Sequence, residues 1–149
     1  MGTQYVSGGK DWTVERHAPE GLRRLSGDPV RGNIHNLWCE ANPVLKVGYV
    51  TYGWVKQAHK SCALLQNPKV YQAIETPCFF ALAENEHLVD NVKARAVIGA
   101  LKNAEFIDIP GAHHEILMDY DAVRDEFMQG FMKLVKVSIL DRPETLKPF

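Results

Sequence analysis

Two short stretches carry the side chains most able to do chemistry: Glu84, Glu86, His87 and Asp90 in one, and the consecutive His113, His114 and Glu115 in the other. A carboxylate that accepts a hydrogen bond from one imidazole nitrogen fixes the ring's tautomer and stabilises its protonated form. The other nitrogen is then free to take a proton from a nucleophile. These are two members of a nucleophile–histidine–acid hydrolase triad. The third is missing: the serines are Ser7, Ser26, Ser61 and Ser138, and no G-x-S-x-G elbow occurs in the 149 residues. Cys78 would start a buried strand, at the wrong end of a sheet to meet His114. A metal site built from His87, Asp90, His113 and His114 is an alternative, since imidazole and carboxylate suit zinc or iron. Against it, adjacent histidines rarely reach one ion, and there is no H-x-x-x-H pair. Each residue also has a plain structural reading: His113–Glu115 as a solvated loop, Glu86 and His87 as an exposed turn, and Asp90 as a helix N-cap worth ~1 kcal/mol. His17, His35 and His59 have no motif around them and read as surface residues.

The elements that must position these groups lie after Pro77. Cys78–Ala83 is a continuous apolar run between Pro77 and the polar Glu84-Asn85-Glu86, which predicts a strand buried on both faces. Asp90 is placed to cap a helix reaching about Leu101, with Val92, Ala96, Val97 and Ala100 inward. A second strand is predicted over 104–109, stopped by Pro110-Gly111. Asp121 then opens a last helix with Val123, Phe127, Phe131, Leu134 and Val135 on one stripe. A strand–helix–strand unit of this length requires a parallel pair, so both loops leave the same rim, where open α/β sheets bind ligands. Residues 1–70 are different in character. Their many glycines and prolines leave room only for short elements, apart from a helix over about 54–66 with Trp54, Ala58, Cys62 and Leu65 on one face. The aromatic cluster around 48–54 reads as a satellite core under a loop-rich layer. The division expected is therefore 1–75, 76–140 and a frayed tail over 141–149.

Two of these stretches resemble a known family. Ala83-Glu84-Asn85-Glu86-His87-Leu88-Val89-Asp90 and Gly111-Ala112-His113-His114-Glu115-Ile116-Leu117 are similar to the acid turn and histidine loop of α/β-hydrolases of the bacterial lysophospholipase and monoacylglycerol lipase type. Leu25-Ser26-Gly27-Asp28-Pro29-Val30-Arg31 and Gly48–Val55 look like the lid region of the bacterial lysophospholipases, so the likeness runs from about residue 22 to 136. It implies an α/β class chain with a partial α/β-hydrolase fold: a helical lid or cap segment over 1–75, then the last two parallel strands with their helices. It places His114 at the triad histidine and Glu86 at the triad acid, with Asp90 close enough in sequence to compete. Ala83 replaces the family's usual glycine, and a glutamate stands where aspartate is commoner. The implied reaction is hydrolysis of the acyl ester of lysophospholipids or monoacylglycerols, with a lipid-like ester as substrate and no cofactor or metal. Without a nucleophile elbow, the chain is expected to be a fragment that is inactive alone. Its uncovered sheet edge would favour self-association. A non-catalytic interaction module that kept the scaffold is the competing expectation, ahead of a metal-dependent hydrolase.

Composition narrows the field further. At 16.8 kDa, with 46% hydrophobic and 23% charged residues, the chain is long enough to build a core and too apolar to be disordered. Seventeen basic and 18 acidic residues are interspersed, so no basic stripe suits nucleic acid. No apolar run approaches the ~18–20 residues of a membrane span. The amino-terminal residues match neither a secretory signal nor the myristoylation pattern, where Val6 stands in place of Ser or Thr. Cys39, Cys62 and Cys78 form no C-x-x-C pair and read as reduced, mostly buried thiols. The expected location is cytoplasmic, with peripheral contact at the inner membrane at most.

Overall fold

Gly and Pro punctuate the first seventy residues so densely that, among the described residues, the longest helix before residue 50 has eight residues. The computed structural model describes residues 2–13 and 19–136. Its elements begin with α1 (Pro19–Leu22), α2 (Pro29–Gly32), α3 (Ile34–Ala41) and α4 (Tyr52–Leu65), with 3-10 turns at Pro43–Leu45 and Pro68–Val70. Asp28 caps α2 through the amides of Val30 and Arg31, with Pro29 at the first helical position. Thr51 caps α4 by accepting from Trp54 N, so the helix starts two residues before the expected Trp54. The apolar stripe predicted on α4 is not buried: Trp54, Cys62 and Leu65 are exposed, and the helix has no buried residue. The aromatic cluster instead pairs with the amino-terminal segment, where Tyr5 and Thr51 form an antiparallel bridge and Val6 N donates to Val50 O. None of the three cysteines is buried, contrary to expectation, and Cys62 on the uncovered α4 is exposed. His35 is half-buried beside Trp38 around a cavity of about 280 Å³, His59 is exposed, and His17 lies outside the described residues.

The second half follows the periodicity closely. Strand β1 (Cys78–Ala83) is followed by α5 (Asn91–Gly99), strand β2 (Ala104–Ile109), a 3-10 turn at Ile116–Met118 and α6 (Asp121–Val135). The strands are parallel and in register from Cys78↔Ala104 to Ala83↔Ile109. Odd-numbered residues face α6: Ala83 and Ile109 form a core with Ala112 and Val123, against which Ala81, Ile107, Ile116 and Phe127 pack. Phe79 meets Phe127 at 5.8 Å between ring centroids. Its ring lies so close to α6 that a Cβ at Gly130 would sit 2.1 Å from Phe79 Cζ, so the close approach requires glycine. α5 covers the other face, where Arg95 pairs with Asp108 and lies over Phe106.

Two expectations need correction here. β1 is buried only at Leu82 and Ala83, because the described residues form a two-stranded sheet that leaves both outer edges bare. On α5 the inward residue is Ile98, while Val92 is 78% exposed and Ala96 is exposed. The helix is short and weakly amphipathic, and Asn91, whose Nδ2 donates to Ala83 O, sets its rotation. The tail over 141–149 and residues 137–140 lie outside the described residues.

Candidate active site

The register places Ala83 and Ile109 side by side, so the loops that follow emerge together from one rim. Backbone and short polar side chains then stitch them to each other. Asn85 N donates to Ala112 O, Asn85 Nδ2 to Gly111 O, and Gly111 N to Glu84 Oε2. Gly111 adopts φ +72°, which lets the chain reverse directly after Pro110. The result brings Glu86 and His114 into contact: His114 Nδ1 lies 2.8 Å from Glu86 Oε2. A carboxylate only accepts, so Nδ1 carries the proton and donates it, leaving the Nε2 lone pair available. The Glu86 side chain is 7% exposed and the His114 ring 32%, so the acid is shielded while the base remains open.

Glu86 is held from its other oxygen as well, with Oε1 accepting from Leu88 N at 2.6 Å and Val89 N at 3.2 Å. Burial works against its charge, but the Leu88 amide, the His114 ring and the Val89 amide together keep the carboxyl below the usual range. Asp90 occupies a different place. Its carboxylate caps α5, accepting from Val92 N and Lys93 N, and makes no contact with His114. His87 is exposed and forms no hydrogen bond among the described residues. His113 turns away from His114's partner and pairs with Asp119 instead, at 3.1 Å. Among the described residues, no three His, Cys, Asp or Glu side chains converge as a metal ion would need.

Asp119 escaped the reading of the sequence. It has no exposed surface, and both its oxygens are in use: Oδ1 accepts from Gly27 N and Tyr120 N, and Oδ2 from His113 N and the His113 ring. Burial opposes its ionisation, yet the amides of His113 and Tyr120 and the His113 ring hold it below the ordinary carboxylate range. A Cβ at Gly27 would lie 2.8 Å from Asp119 Oδ1 and 2.9 Å from His113 Cε1, so only glycine admits this approach. Around it, Arg31 Nη1 donates to Asp119 O, and Glu115 N donates to Leu25 O. Ser26 is buried and its hydroxyl is committed to backbone, donating to Met118 O at 2.7 Å and accepting from Asp28 N. The only advance signal was the clustering of Ser26, Gly27 and Asp28 with an acid just before α6, and spacing alone does not connect segments ninety residues apart. A cavity of about 530 Å³ lies between these segments, bordered by Leu22, Arg23, Pro29, His113 and Tyr120.

Comparison with solved structures gives a close architectural match. A soluble variant of monoglyceride lipase from Saccharomyces cerevisiae, solved with a substrate analog, superposes with a TM-score of 0.61 over 78% of this chain and 41% of its own. The fold is a partial α/β-hydrolase fold. At 14% identity that structure establishes the architecture alone. The sequence relationship comes from elsewhere: over 96 residues the chain is 31% identical to a probable lysophospholipase L2 of Haemophilus influenzae (strain ATCC 51907 / DSM 11121 / KW20 / Rd). That alignment covers 64% of this chain and 30% of the relative, so the chain spans about a third of the curated protein's length. No family model matches the chain. The likeness read from the acid turn and histidine loop therefore stands, in sequence to a lysophospholipase and in fold to a monoglyceride lipase, with the carboxyl-terminal part of the fold represented.

Proposed function

We propose that this α/β-hydrolase portion carries the acid and the base of a carboxylic-ester hydrolase that acts on the acyl ester of lysophospholipids or monoacylglycerols. The observation that supports this most is the Glu86–His114 pair at the rim of the parallel strands. In this reading His114 Nε2 takes the proton of a serine nucleophile as it attacks the ester carbonyl and returns it to the departing glycerol-type alcohol. It then deprotonates the water that releases the fatty acid. Glu86 holds the tautomer and balances the imidazolium. Asp90 has a structural role in the same loop. The sequence has no G-x-S-x-G and the Ser26 hydroxyl is committed to backbone, so this reading takes the serine nucleophile and its oxyanion donors from outside these 149 residues. The exposed Tyr52, Trp54, Leu64 and Leu65 of α4 suit an acyl-chain wall or contact with a lipid surface. Among the described residues no helix is long and apolar enough to cross a membrane.

The test is fatty-acid release from lysophosphatidylcholine and monoacylglycerol micelles by the complete reading frame that contains these residues. His114→Ala should lower kcat by a factor on the order of 10⁴ or more, and Glu86→Gln by a factor approaching it. The 149-residue chain alone should not react with a fluorophosphonate probe. Hydrolysis indifferent to His114→Ala would leave the scaffold as a non-catalytic module.

A further inference from the structure

We propose that Asp119 is a positioning residue for His114, acting through the join it makes between the lid segment and the histidine loop. The proposal rests on the reading of Glu86 and His114 as a functional pair. The peptide that enters His114 is fixed from two sides. On the strand side, Ala112 is fully buried, with its amide donating to Ile109 O and its carbonyl accepting from Asn85 N. On the other side, Asp119 Oδ2 accepts both the amide of His113 and that residue's ring nitrogen. His113 and His114 are consecutive, so whatever fixes the His113 backbone fixes the direction from which the His114 side chain departs. A shift of about 1 Å at such a group is enough to lower a rate by a factor of about 100.

The same carboxylate reaches across to Gly27 N, and Arg31, Ser26 and Leu25 add bonds between the segments. The segment that resembles a lid is thus fastened to the loop that carries the base, and the fastening centres on a buried anion with four donors around it. Two imidazole–carboxylate pairs lie back to back, their histidines adjacent in sequence. His114 faces Glu86 and the rim, while His113 faces Asp119 and the lid segment.

Asparagine at 119 keeps one accepting oxygen, so its amino group must face either the His113 amide or the amides of Gly27 and Tyr120, and in either orientation donor meets donor and one half of the join is lost. The experiment is ring ¹H–¹⁵N correlation spectroscopy on the labelled 149-residue chain, following the His114 Nδ1 proton. Wild type should give a downfield, slowly exchanging signal, and Glu86→Gln should abolish it. Asp119→Asn should weaken it by at least about fivefold while the Phe79–Phe127 ring contacts in the distant core persist, since weakened local bonding opens one region at a time. His113→Ala, which keeps the backbone amide, should leave it in place. An unchanged His114 signal in Asp119→Asn would overturn the proposal. A signal insensitive to Glu86→Gln would remove the Glu86–His114 pair itself, and the proposal with it. If Asp119→Asn fails to fold, wild type decides: the amides of Gly27 and His113 should exchange with solvent at least about tenfold more slowly than those of exposed loops, and unprotected amides would refute the join.

Discussion

Replacing Glu86 by glutamine tests the site through stability, without any need for turnover. The wild-type carboxylate accepts three hydrogen bonds, from Leu88 N, Val89 N and His114 Nδ1. Glutamine can keep its oxygen on the two loop amides and turn its amino group to His114 Nδ1, which then accepts with the ring proton moved to Nε2; neutral bonds of about 0.5–1.5 kcal/mol then replace charged ones of about 1.5–3, so the charge adds roughly 1 kcal/mol per bond. Relief from burying that charge offsets part of this, leaving an expected loss of about 1–2 kcal/mol at pH 7. With a urea slope of ~1–3 kcal/mol per molar, the midpoint should fall by roughly 0.3–2 M. The pH dependence has a definite sign. The folded carboxyl titrates below its usual value of 4.5, so the stability it supplies is complete above that value and is lost as the pH falls through the lower, folded value. The gap between wild type and Glu86→Gln should therefore be constant near neutrality and close in acid. Urea titrations at pH 7 and at a series of acidic pH values measure it. Equal midpoints at pH 7, or a gap that survives in acid, would refute the assignment of an ionised Glu86 bonded to His114.

Other substitutions separate neighbouring roles. Asp90→Ala should cost ~1 kcal/mol in thermal or urea denaturation through loss of the α5 cap; the His114 Nδ1 proton signal should not change, and its disappearance would restore Asp90 as a partner of the histidine. Gly130→Ala should destabilise by about 1–3 kcal/mol through overlap with the Phe79 ring, despite alanine's better helix propensity; an unchanged melting temperature would mean that the ring moves aside freely. The exposed Phe106, Phe131 and Met132, together with the bare strand edges, should drive self-association. Phe131→Lys should shift sedimentation toward the monomer, and a wild-type chain that stays monomeric at tens of micromolar would remove that expectation.

The parts of this molecule that the sequence made legible are those governed by local rules. The apolar run 78–83, the Asp90 cap and the stop at Pro110-Gly111 each act within a few residues, and the elements around them match. That the acid loop would meet the histidine loop was legible too, because a parallel pair in register needs no information beyond two strands and a crossover; the choice of Glu86 and His114 within those loops came from the family resemblance. Burial was harder. Val92 on α5 and Trp54 on α4 lie outward, and periodicity cannot say whether a neighbour exists to cover an apolar stripe. Asp119 was illegible for a related reason: its partners Gly27 and His113 approach from opposite ends of the chain, and no spacing rule links them.

The join between Leu25–Arg31 and the histidine loop also has a kinetic meaning. Its bonds connect residues 92 positions apart, as in Ser26 to Met118 and Gly27 to Asp119. The β1–β2 pair closes a loop less than a third as long. Loop closure grows as the logarithm of length, so the longer closure costs about 1 kcal/mol more before any contact compensates for it. The strand–helix–strand unit is therefore predicted to fold first, with the Leu25–Arg31 segment docking afterwards onto a loop that already holds its histidine. In the native protein the same order runs in reverse. This seam is predicted to open at a lower free energy than the sheet, and native-state hydrogen exchange should find Gly27 and Glu115 releasing their protons through a smaller opening than Ile107 does.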